Sequence, residues 1–232
     1  MTIIYYDQFA RGTTASPVAL NGSTPAPNDI GSNIWTADSS STTNGSQANV
    51  YPANYVIFLP WTPATGKLYK LSCGVQIPSG TTTNWMALGY STANTGSSSF
   101  QEVGAAWYLL RDNGQMQAFQ NGTGTSVTLL PSSVTAGLMN TMEVQLDTRP
   151  TLWTTEFFIN GTSISSAVAY TANPSILSVG MENWYLTPPI PATNFKLEDI
   201  TPSSGYPRIR LPGQPIGFSG SGPKIVIPRR RY

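Results

Sequence analysis

An antiparallel β-sandwich is the fold this sequence predicts, and three observations carry the prediction. Apolar residues recur at every second position in several short runs, Asn-Gly pairs stand between such runs, and no stretch sustains an apolar repeat of 3.6 residues with capping signals. Only 10% of the 232 residues are charged, while Ser, Thr, Asn, Gly and Pro are abundant. Sandwiches whose outer faces are covered by hydroxyls and amides have this balance. The expected class is therefore all-β: an antiparallel sandwich followed by an extended, irregular C-terminal arm.

Taken in order, the start Met1-Thr2-Ile3-Ile4-Tyr5-Tyr6-Asp7 has neither the basic nor the apolar segment of a secretory signal, and no run of 18 apolar residues follows. Residues 12–50 hold few apolar anchors, notably Leu20, Ile30, Ile34 and Trp35, and are expected to wrap the rim as irregular loop. A strand is expected at Val56 to Leu59. The clearest alternation follows, with Tyr69, Leu71, Cys73, Val75 and Ile77 on one face and Lys70, Ser72, Gly74 and Gln76 on the other. Further strands are expected at Trp85 to Tyr90 and Val103 to Leu110. Met116 to Phe119 lies between Asn113-Gly114 and Asn121-Gly122, a hairpin signal. Met142, Val144 and Leu146 alternate with Glu143, Gln145 and Asp147. Glu156 to Ile159 runs into Asn160-Gly161, and Ile176 to Met181 and Asn194 to Ile200 close the series. About ten short strands at this spacing imply two packed sheets, with helix limited to a turn or two.

The single cysteine, Cys73, excludes an intrachain disulfide and sits at a core position of its strand. Four Asn-Gly-Ser/Thr sequons, at Asn21, Asn44, Asn121 and Asn160, read as turns rather than glycan acceptors.

Charge divides the chain in two. Residues 1–200 carry six basic and eleven acidic groups, whereas residues 201–232 carry six basic groups, none acidic, six prolines and five glycines. This Pro/Gly-rich arm has too little apolar surface to order itself, and two readings of it stand open: a solvated tail, or a segment that orders on a partner. The second reading draws on Arg208, Arg210, Phe218, Lys224, Ile225, Val226, Ile227, Arg229, Arg230, Arg231 and Tyr232, in which arginines would meet acidic side chains and Ile225-Val226-Ile227 would add to a sheet edge. A net-acidic body disfavours nucleic acid as that partner. A neighbouring protein is the expected one.

The chain contains no histidine, which removes Ser-His-Asp and Cys-His triads and imidazole-based metal sites. Glu143 and Asp147 share one face of a strand about 13 Å apart, farther than the carboxylate pair of a glycosidase. No catalytic residue, cofactor or metal is assigned; Asp112 is the nearest approach to a calcium ligand, and one carboxylate does not make a site. Aromatic side chains that stack on a pyranose are the other candidates, among Trp35, Trp61, Trp85, Trp153, Trp184 and Tyr185. Asn183-Trp184-Tyr185, just before Pro188-Pro189, is the group expected to bind a glycan.

Several pieces occur in a familiar order: Asp7-Gln8-Phe9, Leu20-Asn21-Gly22 through Gly31 to Trp35, Trp107-Tyr108-Leu109, Leu146-Asp147-Thr148, Phe158-Ile159-Asn160-Gly161 and Asn194-Phe195-Lys196-Leu197-Glu198. This order resembles the concanavalin A-like lectin/glucanase superfamily in its laminin-G-like form, as found in bacteriophage structural proteins. The resemblance spans roughly residues 5–200. It implies a jelly roll, all-β, of two curved antiparallel sheets whose first and last strands lie side by side. The Glu-x-Asp-x-x-Glu pattern of the superfamily's glycosidases is interrupted here by Gln145. Sequence therefore leads to a non-enzymatic virion protein as its main expectation, a capsid decoration or cement protein held by the arm to major capsid or other virion proteins. It would be assembled as a homo-oligomer, with a trimer as the analogy, and have no membrane association. The competing expectation is a carbohydrate-binding, receptor-binding or fibre domain that contacts host glycans, with a polysaccharide hydrolase or lyase ranked behind both.

Overall fold

The computed structural model describes residues 1–25, 31, 33–52, 56–80, 83–94, 98–132 and 134–202. Residues 1–202 form one compact unit, and the sequence-predicted arm residues from Arg208 to Tyr232 lie outside the described residues.

In chain order the elements are β1 (Thr2–Asp7), β2 (Val18–Ala19), β3 (Thr42–Thr43), β4 (Ala48–Val50), β5 (Ile57–Pro60), β6 (Leu68–Gln76), β7 (Trp85–Ser91) and α1 (Phe100–Val103). There follow β8 (Gly104–Arg111), β9 (Met116–Gln120), β10 (Thr125–Val127), β11 (Met139–Asp147), β12 (Thr154–Ile159), β13 (Thr162–Ser163), β14 (Val168–Ala169), β15 (Ser178–Trp184) and β16 (Ile190–Asp199). They form two antiparallel sheets. The larger runs β13-β12-β11-β6-β16-β4-β3-β2, with β14 against β12 and β1 beside the C-terminal half of β16. The smaller runs β10-β9-β8-β7-β15-β5.

The alternation read from the sequence sets the register. Leu71, Cys73 and Val75 of β6 face Val144, Met142 and Asn140 of β11, and all but Asn140 join the interior cluster. That cluster takes Met86, Leu88 and Tyr90 from β7 and Tyr108 and Leu110 from β8 across the sandwich. Cys73 is fully buried, and burial pushes its thiol up to about 12. Tyr108 ties the sheets together: its hydroxyl donates to the Phe158 carbonyl at 2.7 Å and accepts from the Glu143 amide at 2.8 Å.

The expected Asn-Gly turns form. Asn160 and Gly161 have φ of 50° and 77°, the pair of left-handed conformations required where Ile159 and Thr162 are cross-strand partners. Asn121 and Gly122 likewise have φ of 57° and 64° between β9 and β10.

Residues 12–50 depart from expectation. Instead of purely irregular rim, they contribute β2, β3 and β4, and β4 extends the larger sheet along the N-terminal half of β16. These strands are two or three residues long and built from Thr, Ala, Asn and Val, too short to show a period. Of the anchors in this stretch, Leu20 and Trp35 are fully buried and Ile34 is exposed.

First and last strands do lie side by side, Thr2 facing Asp199 and Asp7 facing Phe195. Here the scattered motifs converge. Trp35 packs against Phe9 and edge-on against Phe195, with ring centroids 6.0 and 4.9 Å away.

Candidate functional site

The smaller sheet is apolar on both faces. Residues paired directly across an antiparallel ladder point to the same side, so the register defines two rows on its outer face. Trp184, Trp85 and Arg111 form one row; Gly180, Gly89, Trp107 and Phe119 form another. Glu182, Ala87, Leu109 and Gln117 lie between them.

The aromatic members make a continuous ribbon. Phe119 stacks on Trp107 at 4.8 Å, Trp107 leans on Trp85 at 5.7 Å, Trp85 stacks on Trp184 at 5.4 Å with planes 4° apart, and Trp184 meets Tyr185 edge-on at 5.1 Å. Phe119 is half-buried, and from Trp107 to Tyr185 exposure grows. Trp107 and Trp85 are buried, Trp184 is half-buried and Tyr185 is 49% exposed. The buried end is closed by α1, whose Phe100 stacks on Trp107 at 5.7 Å. Glu182, fully buried, secures that turn: its carboxylate accepts the Phe100 amide at 2.8 Å and bonds the Ser99 side chain. Burial raises this carboxyl to about 7.

At the open end the backbone is fixed. Tyr185 has φ of 59°, and its carbonyl accepts from the Asn84 side-chain amide at 3.0 Å. Arg111 donates to the Thr83 carbonyl and, at 2.7 Å, to Oε1 of Gln117, which is exposed. Trp184 Nε1 makes no hydrogen bond among the described residues.

Of the three residues expected to bind a glycan, Asn183 has to be withdrawn. Successive residues of a strand point to opposite faces, and Asn183 points inward. It is 1% exposed, and its amide is consumed by the Val50 and Leu186 carbonyls and the Leu186 N–H. The register instead places Arg111 and Gln117 on the face that carries Trp184, while Trp85, itself only 2% exposed, backs the Trp184 ring by stacking rather than presenting a surface of its own. The motif order had marked Trp107 as part of the fold but not as part of this face. Among the other tryptophan candidates, Trp35 and Trp153 are buried and Trp61 is half-buried against Tyr69 and Tyr90.

The carboxylates of β11 are arranged for structure. Arg149 grips Asp147 through two bonds of 2.8 and 2.6 Å and lowers its carboxyl, keeping it charged near neutrality, while Glu143 accepts the Gln145 amide at 2.8 Å. Asp112 is buried, with its carbonyl accepting from the Gly80 N–H. No group of three or more His, Cys, Asp or Glu side chains suited to a metal converges among the described residues. No helix among them is long and apolar enough to cross a membrane.

No protein-family model and no curated protein matches the chain. Solved structures do. The carbohydrate recognition domain of Emp46p in its potassium-bound form superposes with a TM-score of 0.54 at 12% identity, covering 71% of this chain and 88% of that domain. The corresponding domain of Emp47p gives 0.51 at 10% identity, covering 78% and 92%. A Trypanosoma rangeli sialidase in complex with 2,3-difluorosialic acid gives 0.51 at 12% identity over 84% of this chain, which spans only 30% of that enzyme. At such identities the likeness shows the fold alone: an antiparallel jelly-roll β-sandwich, as the sequence led one to expect.

Proposed function

We propose that this chain is a carbohydrate-binding module whose site is the open end of the aromatic ribbon. The observation that carries the reading is the gradient from buried Trp107 to exposed Tyr185: rings held rigidly by their neighbours emerge at the surface beside the Arg111 guanidinium, the Gln117 amide and the Trp184 indole N–H. Stacking on an apolar sugar face with hydrogen bonds to its hydroxyls uses these groups and needs no side-chain rearrangement. The Emp46p and Emp47p domains are carbohydrate recognition domains by name, and the shared architecture supports the same class of ligand here. The competing sequence expectation of a glycan-binding domain is thus favoured over the purely structural one. Glycan-array screening of the full chain, followed by titration calorimetry, tests it. A saccharide should bind and should lose at least tenfold in affinity with Tyr185→Ala or Trp184→Phe at unchanged thermal midpoint. Absence of any binding saccharide would overturn the reading.

A second reading, compatible with the first, rests on the charge split. We propose that the basic segment from Arg208 to Arg231 anchors a net-acidic body to acidic surfaces of neighbouring subunits in a phage particle, with copy number multiplying a modest single-site affinity. Its support is the sequence itself: six basic and no acidic residues among the last 32. Deleting residues 203–232 should leave a folded body that no longer joins the particle, and retention at full copy number would sink the idea.

A further inference from the structure

Residues 1–200 contain six basic side chains. Five are spoken for by carboxylates: Arg11 by Asp7 at 2.7 Å, Lys67 by Asp199 at 2.8 Å, Lys70 and Lys196 by Glu198 at 3.1 and 3.4 Å, and Arg149 by Asp147 at 2.6 Å. The sixth is Arg111. It has no acidic partner among the described residues, although the body holds nearly two carboxylates for each cation. Its guanidinium is held by two neutral acceptors, the Thr83 carbonyl and the Gln117 amide oxygen. These fix its direction without compensating its charge, and they leave other N–H groups of the fork open. A half-buried cation in this condition is selective for an anion.

Arg111 also stands in register with Trp85 and Trp184 on one face of the sheet. Two strand spacings separate the Cα atoms of Arg111 and Trp184, about 10 Å, a span within reach of one sugar residue and its neighbour.

We infer that the ligand is an acidic saccharide, a uronic- or sialic-type sugar whose carboxylate is received by Arg111 while its ring or the adjacent one stacks on Trp184 and Tyr185. This rests on the carbohydrate-binding reading above and narrows it to carboxylated sugars.

The test compares oligogalacturonate with its methyl ester, and an α2,3-sialylated oligosaccharide with its asialo form, by calorimetry on the full chain. The wild type should bind at least one acid about tenfold more tightly than its neutral partner, the effect of one charge-assisted contact. Arg111→Gln should erase that preference, so that acid and neutral forms bind alike whatever their common affinity becomes. Gln117→Glu, a change at an exposed position, should erase it as well by giving Arg111 an internal counter-ion. The cations of the C-terminal arm are constant across these variants, so the ratio between them isolates Arg111. Equal affinity for acid and neutral forms in the wild type, or a preference that survives both substitutions, overturns the inference and leaves the carbohydrate reading standing. Binding of neither form overturns both, and a preference for sulfated saccharides alone overturns the assignment to carboxylates.

Discussion

The indole Nε1 of Trp35 donates to Oδ2 of Asp7 at 2.7 Å, with both side chains fully buried 28 residues apart in sequence. The same carboxylate receives the Phe9 amide and the Arg11 guanidinium, each at 2.7 Å. One acid thus closes the end of β1, orients the tryptophan that packs on Phe195 of β16, and neutralises a cation that is only 13% exposed.

Removing that acid strands three donors at once. Asp7→Ala should destabilise the body by roughly 3–5 kcal/mol, the cost of leaving a buried charge and buried N–H groups unpaired. Asp7→Asn should cost less, since it retains an acceptor. Urea unfolding followed by tryptophan fluorescence measures both.

Tyr108 offers a cleaner case, because its ring stays in the core whether or not the hydroxyl is present. Tyr108→Phe leaves the Glu143 N–H and the Phe158 carbonyl without the atom that bridges them, and about 1–2 kcal/mol should be lost. Amide exchange at Glu143 should accelerate, while that of Leu71 in β6 stays slow.

Glu182 makes stability depend on pH in the direction opposite to most carboxylates. Its carboxyl is raised from an ordinary 4.5 to about 7, so between these values the folded chain holds a proton that the unfolded chain has released. Stability from this group is complete below about 4.5, falls as pH rises through 7, and is level above. The loss amounts to no more than about 3 kcal/mol at 1.36 kcal/mol per unit. Glu182→Gln keeps an acceptor for the Phe100 amide and should flatten the decline between pH 5 and 8, as read by thermal midpoints across that range.

Two glycines permit the ribbon to lie flat. A Cβ on Gly89 would come within 2.5 Å of the Ala106 carbonyl and 2.4 Å of the Trp107 Cβ, and one on Gly180 within 2.1 Å of the Ile57 carbonyl. Backbone atoms do not yield as side-chain tips do. Gly89→Ala should therefore cost roughly 2–3 kcal/mol and alter the near-ultraviolet dichroism of the stacked tryptophans.

The long strands were legible in the chain because they are half-buried and alternate: β6 and β11 display their inward and outward sets in plain order. The Asn-Gly turns were legible because the left-handed backbone they need selects those residues. The short strands β2 to β4 were not, since two or three residues carry no period and β16, through which β4 joins them to the sheet, lies more than a hundred positions away. The site was half legible. Trp184 and Tyr185 stood out as aromatic residues beside a Pro-Pro segment, but Asn183 was grouped with them by adjacency, and a strand sends adjacent residues to opposite sides. Arg111 and Trp85 join Trp184 only through ladders that no local window contains.

The pairing of Thr2 with Asp199 has a practical corollary. The body's polypeptide is almost a closed ring, so a handful of flexible residues joining position 202 to position 1 would turn it into one. New ends opened at the exposed Asn160-Gly161 tip would then produce a circular permutant carrying every ladder of the parent, with its points of attachment for a label or a surface moved elsewhere on the sandwich.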